Sequence, residues 1–228
     1  MLINNADIIR EKRKTLKITI NNEGKLIIFC PLNLPIEKID DILSKKENLI
    51  NKKIKNIQYN NNEFKDIIQF KKALLLGKEY YIVPTEKVNK FFITDDSLLI
   101  PKKYIELSKI KFYLKKSFKE IAKKVIIKRV IELYNLNNIK IKKYNNIIIG
   151  DFKRKWGSCD NLGNIKLNWK LIMLKPKIID FVINHELIHL IELNHSKNFY
   201  NLLQKVAPEC KKQRNELKKM SFILNIYD

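Results

Sequence analysis

The stretch NHELIHLIELNH, residues 184–195, holds all three histidines of this 228-residue chain, and it limits the available folds more than any other feature. His185 and His189 are four residues apart. On a helix their side chains project about 40° apart on one face, one turn above the other, so two imidazoles can grip one ion. The spacing predicts such a helix: Pro176 suits the first helical position, and Ile178, Ile179, Val182, Ile183, Leu187, Ile188, Leu190 and Ile191 supply apolar faces that call for burial. Asn194 is the expected helix end, in the left-handed conformation, and Ser196 the cap of a following helix. That bend brings His195 back as the natural third ligand. Glu186 is too close in sequence to His185 to be a comfortable ligand but can reach a water beside the ion, the position of a general base. Three nitrogen ligands and one open position describe a catalytic zinc centre.

The remaining composition narrows the setting. Residues are 45% hydrophobic and 31% charged, the balance of a globular chain able to bury a core without disulfides. Cys30, Cys159 and Cys210 form no CxxC pair, and Cys159 is read as a small buried hydrophobe and not as a ligand. With no apolar signal-like leader and no stretch of eighteen apolar residues, a cytoplasmic location without membrane insertion is expected. The formal charge of +22 suggests nucleic acid as a partner. Against this, only five of the 46 basic residues are arginine, the side chain suited to bidentate contacts.

Periodicity predicts an α+β chain. Residues 15–30 alternate as two strands turning at Asn22, Glu23 and Gly24, and Pro35 opens a helix that ends before a surface loop at Asn60, Asn61 and Asn62. Two further hairpins follow between 72 and 101, turning at Gly77 with Lys78 and at Asp95 with Asp96. The first unit, 1–101, is thus β-rich with one helix. A second unit, 102–228, begins with a helix over 103–135 whose apolar stripe is Tyr104, Leu107, Ile110, Leu114, Phe118, Ile121 and Val125. Lys109, Lys115, Lys116, Lys119, Lys123 and Lys124 form its other face, expected to be solvated. Strands are predicted at 139–144, 146–159 and 164–171, the last two enclosing a turn from Asp160 to Gly163. KWGSCDNLGNIKLNW then reads as a hairpin. Trp156 and Trp169 are expected in the core.

With these residues in place, the sequence resembles the YgjP-like metallopeptidase-type family, relatives of the SprT-like zincins. The resemblance rests on RKTLKITI, LLLGKEYYI, KWGSC (155–159), GNIKLNWKLI (163–172), IIDFVINHELIHL (178–190) and NHSKNFY (194–200). It implies a β-rich N-terminal part followed by a zincin-like domain, with zinc on His185, His189 and His195 and Glu186 as catalytic acid/base. Lys155 stands where the family usually has arginine, and Glu192 stands where the metzincins, which share the histidine spacing, have glycine.

The expected activity is metal-assisted hydrolysis of a peptide bond in a peptide or protein substrate, with Arg154, Lys155, Trp156 and Tyr200 as candidate substrate-binding residues. A nucleotide or phosphoester hydrolase is the nearest alternative, although no GxxxxGK[ST] loop is present. A DNA-associated SprT-like protease is another, and a binding module with structural zinc a third.

Overall fold

The computed structural model describes residues 6–21, 23–137 and 141–227. The chain forms two compact units, Met1–Lys65 and Asp66–Asp228.

The first unit is a three-stranded sheet with one helix. Strands β1 (Ala6–Glu11), β2 (Lys17–Ile20) and β3 (Leu26–Pro31) lie in the order β1-β3-β2, with β3 parallel to β1 and antiparallel to β2. The predicted β2–β3 hairpin is present, though Asn22 of its turn lies outside the described residues. Strand β1 has no counterpart in the sequence reading, because DIIRE lacks a clean alternation. Leu26, Ile28 and Cys30 alternate onto the face that meets Ile39, Leu43 and Ile50 of helix α1 (Ile36–Glu63). That helix runs through Asn60, Asn61 and Asn62, where a loop is expected. Asparagine is a weak helix former, but the helix has already propagated from an apolar face, and Phe64 N closes it by donating to Asn60 O at 2.9 Å.

The second unit opens with a short helix α2 (Lys65–Ile68) and a four-stranded sheet of order β4-β5-β7-β6. Its strands are β4 (Lys72–Leu75), β5 (Lys78–Thr85), β6 (Phe92–Ile93) and β7 (Ser97–Pro101). Both predicted hairpins exist, joined by parallel pairing of β5 with β7. The division expected at 101/102 falls inside this unit. Leu76 N donates to Ile172 O at 2.7 Å and Gly77 N to Met173 O at 3.2 Å, which fixes the β4–β5 turn to the 3-10 segment Trp169–Met173. Gly77, at φ +78°, is required there, since a Cβ would stand 2.8 Å from the Lys175 Cα.

Helix α3 (Leu107–Leu136) buries Ile110, Leu114, Phe118, Ala122, Ile126 and Val130 against the 169–173 segment and the next helix. Successive steps of four incline this row across the helix, so Val125 and Leu107 of the expected stripe face outward, 37% and 59% exposed. A second small sheet follows, β8 (Asn146–Gly150), β9 (Gly157–Cys159) and β10 (Asn164–Asn168), in the order β8-β10-β9. The KWGSC hairpin is the antiparallel β9–β10 pair. Residues 141–145 are not a strand, and 139–140 of that expectation lie outside the described residues. Helices α4 (Pro176–Ile188), α5 (Lys197–Val206) and α6 (Cys210–Lys219) complete the unit. No described helix is long and apolar enough to cross a membrane.

Part of the lysine face of α3 is committed inside the fold. Lys115 and Lys119 reach one Asp151 oxygen at 3.0 and 3.2 Å, and the fully buried Lys170 reaches the other at 3.3 Å while donating to Leu224 O at 2.5 Å. Burial alone would raise the Asp151 pKa; the three ammonium groups override it and hold the carboxyl well below its usual range. Asp151→Ala therefore removes the carboxylate that Lys115, Lys119 and the buried Lys170 share. The expected loss is about 3 kcal/mol in urea unfolding.

Candidate metal centre

Helix α4 has Pro176 at its first position, as the sequence predicts, and buries Ile178, Ile179, Phe181, Val182, Ile183, Leu187 and Ile188. It ends earlier than expected. Ile188 is its last residue, His189 is the C-cap at φ −62° and ψ −18°, and among the described residues Asn194 has no left-handed backbone. The chain turns instead through Leu190 and Ile191, whose amides donate to Leu187 O and Ile188 O at 3.1 and 2.9 Å. Ser196 caps α5 as predicted, its hydroxyl accepting from Phe199 N at 3.2 Å.

This turn brings the imidazoles together. One ligand atom from each of His185, His189 and His195 lies within 4.8 Å of the others. His185 Nε2 and His195 Nε2 are 3.0 Å apart, close to the roughly 3.3 Å expected of two nitrogens about 2.05 Å from one tetrahedral ion. His189 Nδ1 is 3.0 Å from Glu192 O; donating there fixes the tautomer and leaves Nε2 free as a ligand. Phe199 backs all three rings, its centroid 4.9, 4.6 and 4.7 Å from those of His185, His189 and His195. Burial lowers the pKa of His185 to about 3, with the neighbouring imidazoles and Arg214 adding to the effect, and burial lowers that of His189 as well. Both rings are thus held in the neutral form that binds cations. The donor set fits a transition-metal ion.

Glu186 is only 4% exposed, and among the described residues its Oε2 has no hydrogen-bond partner. Burial pushes its pKa up to about 8, opposed by the Lys155 ammonium. Gly157 is pressed against it: a Cβ at 157 would meet Glu186 Oε1 at 2.5 Å and Cγ at 2.8 Å. The loop before β9 is clamped by Asn168, fully buried, whose Nδ2 donates to Phe152 O at 2.7 Å and Lys155 O at 3.0 Å, while its backbone N donates to Trp156 O at 2.8 Å.

A cavity of about 580 Å³ opens from this centre, its lining including His185, Glu186, His195, Trp156, Gly157 and Tyr200 together with residues of α6. Of the candidate substrate-binding residues, Trp156 and Tyr200 line it; Trp156 is not the core residue expected, whereas Trp169 is fully buried. Lys155 stands outside the lining, its Nζ donating to Ser158 Oγ at 2.9 Å. Arg154 is exposed, on a loop and not on a strand. Cys159 is not one of the clustered groups. The sequence reading did not single out Phe199, Asn168 or the α6 side of the cavity; Asn168 beside Trp169 at an inward strand end was the one available signal.

Three convergent imidazoles beside a buried carboxylate, on an α+β scaffold, form a cluster able to hold a metal ion. The YgjP-like, metallopeptidase domain family matches residues 14–220, and the chain belongs to that family. No curated protein and no solved structure matches the chain. Family membership and the histidine cluster together support a metal-dependent hydrolase.

Two outcomes follow. His189→Ala should weaken zinc or cobalt binding by at least about 100-fold in calorimetry, with unchanged binding overturning the ligand set. In chelator-treated protein, folding favours neutral Glu186, so its cost is absent below about pH 4.3, grows as pH rises toward 8 and is full above it. Glu186→Gln should therefore stabilise that form by about 5 kcal/mol at pH 9 and by almost nothing at pH 4, read by urea unfolding at each pH.

Proposed function

We propose that the chain is a zinc-dependent metallopeptidase in which His185, His189 and His195 hold the ion and Glu186 is the general base. The observation that carries this reading is the buried, unpartnered Oε2 of Glu186, one residue from His185 and lining the same cavity. When bound, a divalent ion supplies Lewis-acid polarisation of a carbonyl oxygen and makes water a stronger acid. Glu186 accepts the proton of the attacking water and passes it to the departing amine. A cation held by the three imidazoles would lower the Glu186 pKa from its metal-free value and favour the ionised form that a base needs. Tyr200, at the cavity wall, is the hydroxyl available to the developing oxyanion. Strand β9 is an edge strand of its sheet, with Gly157 against the base, and its free backbone edge supports the reading that an extended peptide adds there.

Zinc is favoured by three nitrogen donors with one position left for substrate or water, although the same donors accept nickel, cobalt or copper. A second reading, a nucleotide or phosphoester hydrolase, draws support from two cations of α6, Lys211 and Arg214, in the cavity lining.

Zinc-loaded protein incubated with casein, a peptide library and nucleoside triphosphates separates the two readings, with peptide cleavage expected and phosphate release without cleavage overturning the first. Glu186→Gln should retain zinc and lose at least about 100-fold in kcat. Undiminished turnover in that variant would remove Glu186 from the reaction.

A further inference from the structure

We infer that Arg214, assisted by Lys211, forms a carboxylate-recognition subsite, so that the chain prefers peptides bearing a carboxylate within one or two residues of the cleaved bond. This rests on the peptidase reading above.

The cavity lining is of mixed chemistry. It holds His185, His195 and Glu186, apolar side chains at Phe181, Val182, Leu203 and Leu217, and two cations of α6, Lys211 and Arg214. Arg214 is near enough to His185 to help lower its pKa. Three residues apart on that helix, these two cations share a face. Among the described residues neither is in an ion pair, whereas the nearby Lys212 and Lys177 are matched with Glu209 and Glu216. Among the described residues Glu186 is the only carboxylate in the lining. The α6 wall therefore presents positive charge with no ion-pair partner, beside apolar side chains. Its complement is a residue with an apolar stem and a carboxylate, and the planar guanidinium of Arg214 matches a carboxylate through two parallel hydrogen bonds. A volume of about 580 Å³ admits such a residue and its neighbour.

The carboxylate can be a free C-terminus or the side chain of Asp or Glu, and matched peptides distinguish them. Quenched fluorescent peptides are made with Glu or Gln after the cleaved bond, each ending in a free acid or an amide, and are cleaved by the full zinc-loaded chain. Neutralising the productive carboxylate should lower kcat/KM at least about tenfold. In Arg214→Gln that ratio should collapse toward one, and in Arg214→Glu it should invert in favour of Lys at the same place. Lys218→Gln removes the same charge outside the cavity lining and should leave the ratio intact. Equal cleavage of all the peptides by the parent chain, or a ratio unchanged in Arg214→Gln, overturns the inference. Binding provides the separate readout: Trp156 fluorescence in Glu186→Gln is titrated with a short apolar peptide acid and with its amide. Tighter binding of the acid, lost in Arg214→Gln, upholds the subsite even if no peptide is cleaved, in which case the peptidase reading alone falls. Hydrolysis of nucleoside triphosphates that depends on Arg214, with no preference for carboxylates, overturns the inference.

Discussion

The close approach of β9 to α4 at Gly157 and Glu186 is the contact on which the rest of the centre depends. No side chain fits between them, so a strand edge lies directly against a helical carboxylate, and water is excluded from one side of it. That single approach helps bury Glu186 and so raises its proton affinity. Asn168 secures it from behind. By taking the carbonyls of Phe152 and Lys155 on its amide, it satisfies a loop that would otherwise bury unpaired acceptors.

The early end of α4 serves the same purpose. Had the helix continued to Asn194, His195 would lie on a face set by helical periodicity, well displaced along the axis from His185. Stopping at Ile188 lets the 189–196 turn fold back, and it also frees the Glu192 carbonyl to hold His189 Nδ1. Phe199, delivered by the Ser196 cap, then fills the space behind three rings whose polar atoms face the opposite way. One aromatic side chain thus does for the cluster what several polar contacts would do less simply, since it limits ring rotation and offers no competing donor.

Local signals carried much of this into the sequence. Pro176, the HELIH spacing and Ser196 each act through neighbours within one turn, and each was legible. So were the β2–β3 and β9–β10 hairpins, whose Gly-bearing turns announce themselves. The family resemblance was legible on the same motifs. What escaped depended on long-range pairing. Strand β1 forms because β3 offers a parallel partner, Asn60 to Asn62 stay helical because of what precedes them, and residues 66–101 join the second unit through hydrogen bonds from the Leu76 and Gly77 amides and the packing of Phe70 on Tyr227 and Phe91 on Phe118. Lys115 and Lys119 look like a solvated face in any helical projection; only the fold reveals that Asp151 and Lys170 wait on that side.

The centre and the charge network use burial in opposite ways. Around Asp151, burial is offset within the chain: three ammonium groups surround the carboxylate, and the cluster is complete without help. At Glu186 the nearest cation only opposes the effect of burial and does not cancel it, and one oxygen has no partner among the described residues. A fold able to assemble the first arrangement had the means to assemble the second. Burying Glu186 beside the His185, His189 and His195 cluster, with its charge not balanced inside the chain, concentrates a demand for positive charge at one point, the demand that a divalent cation on those imidazoles would meet.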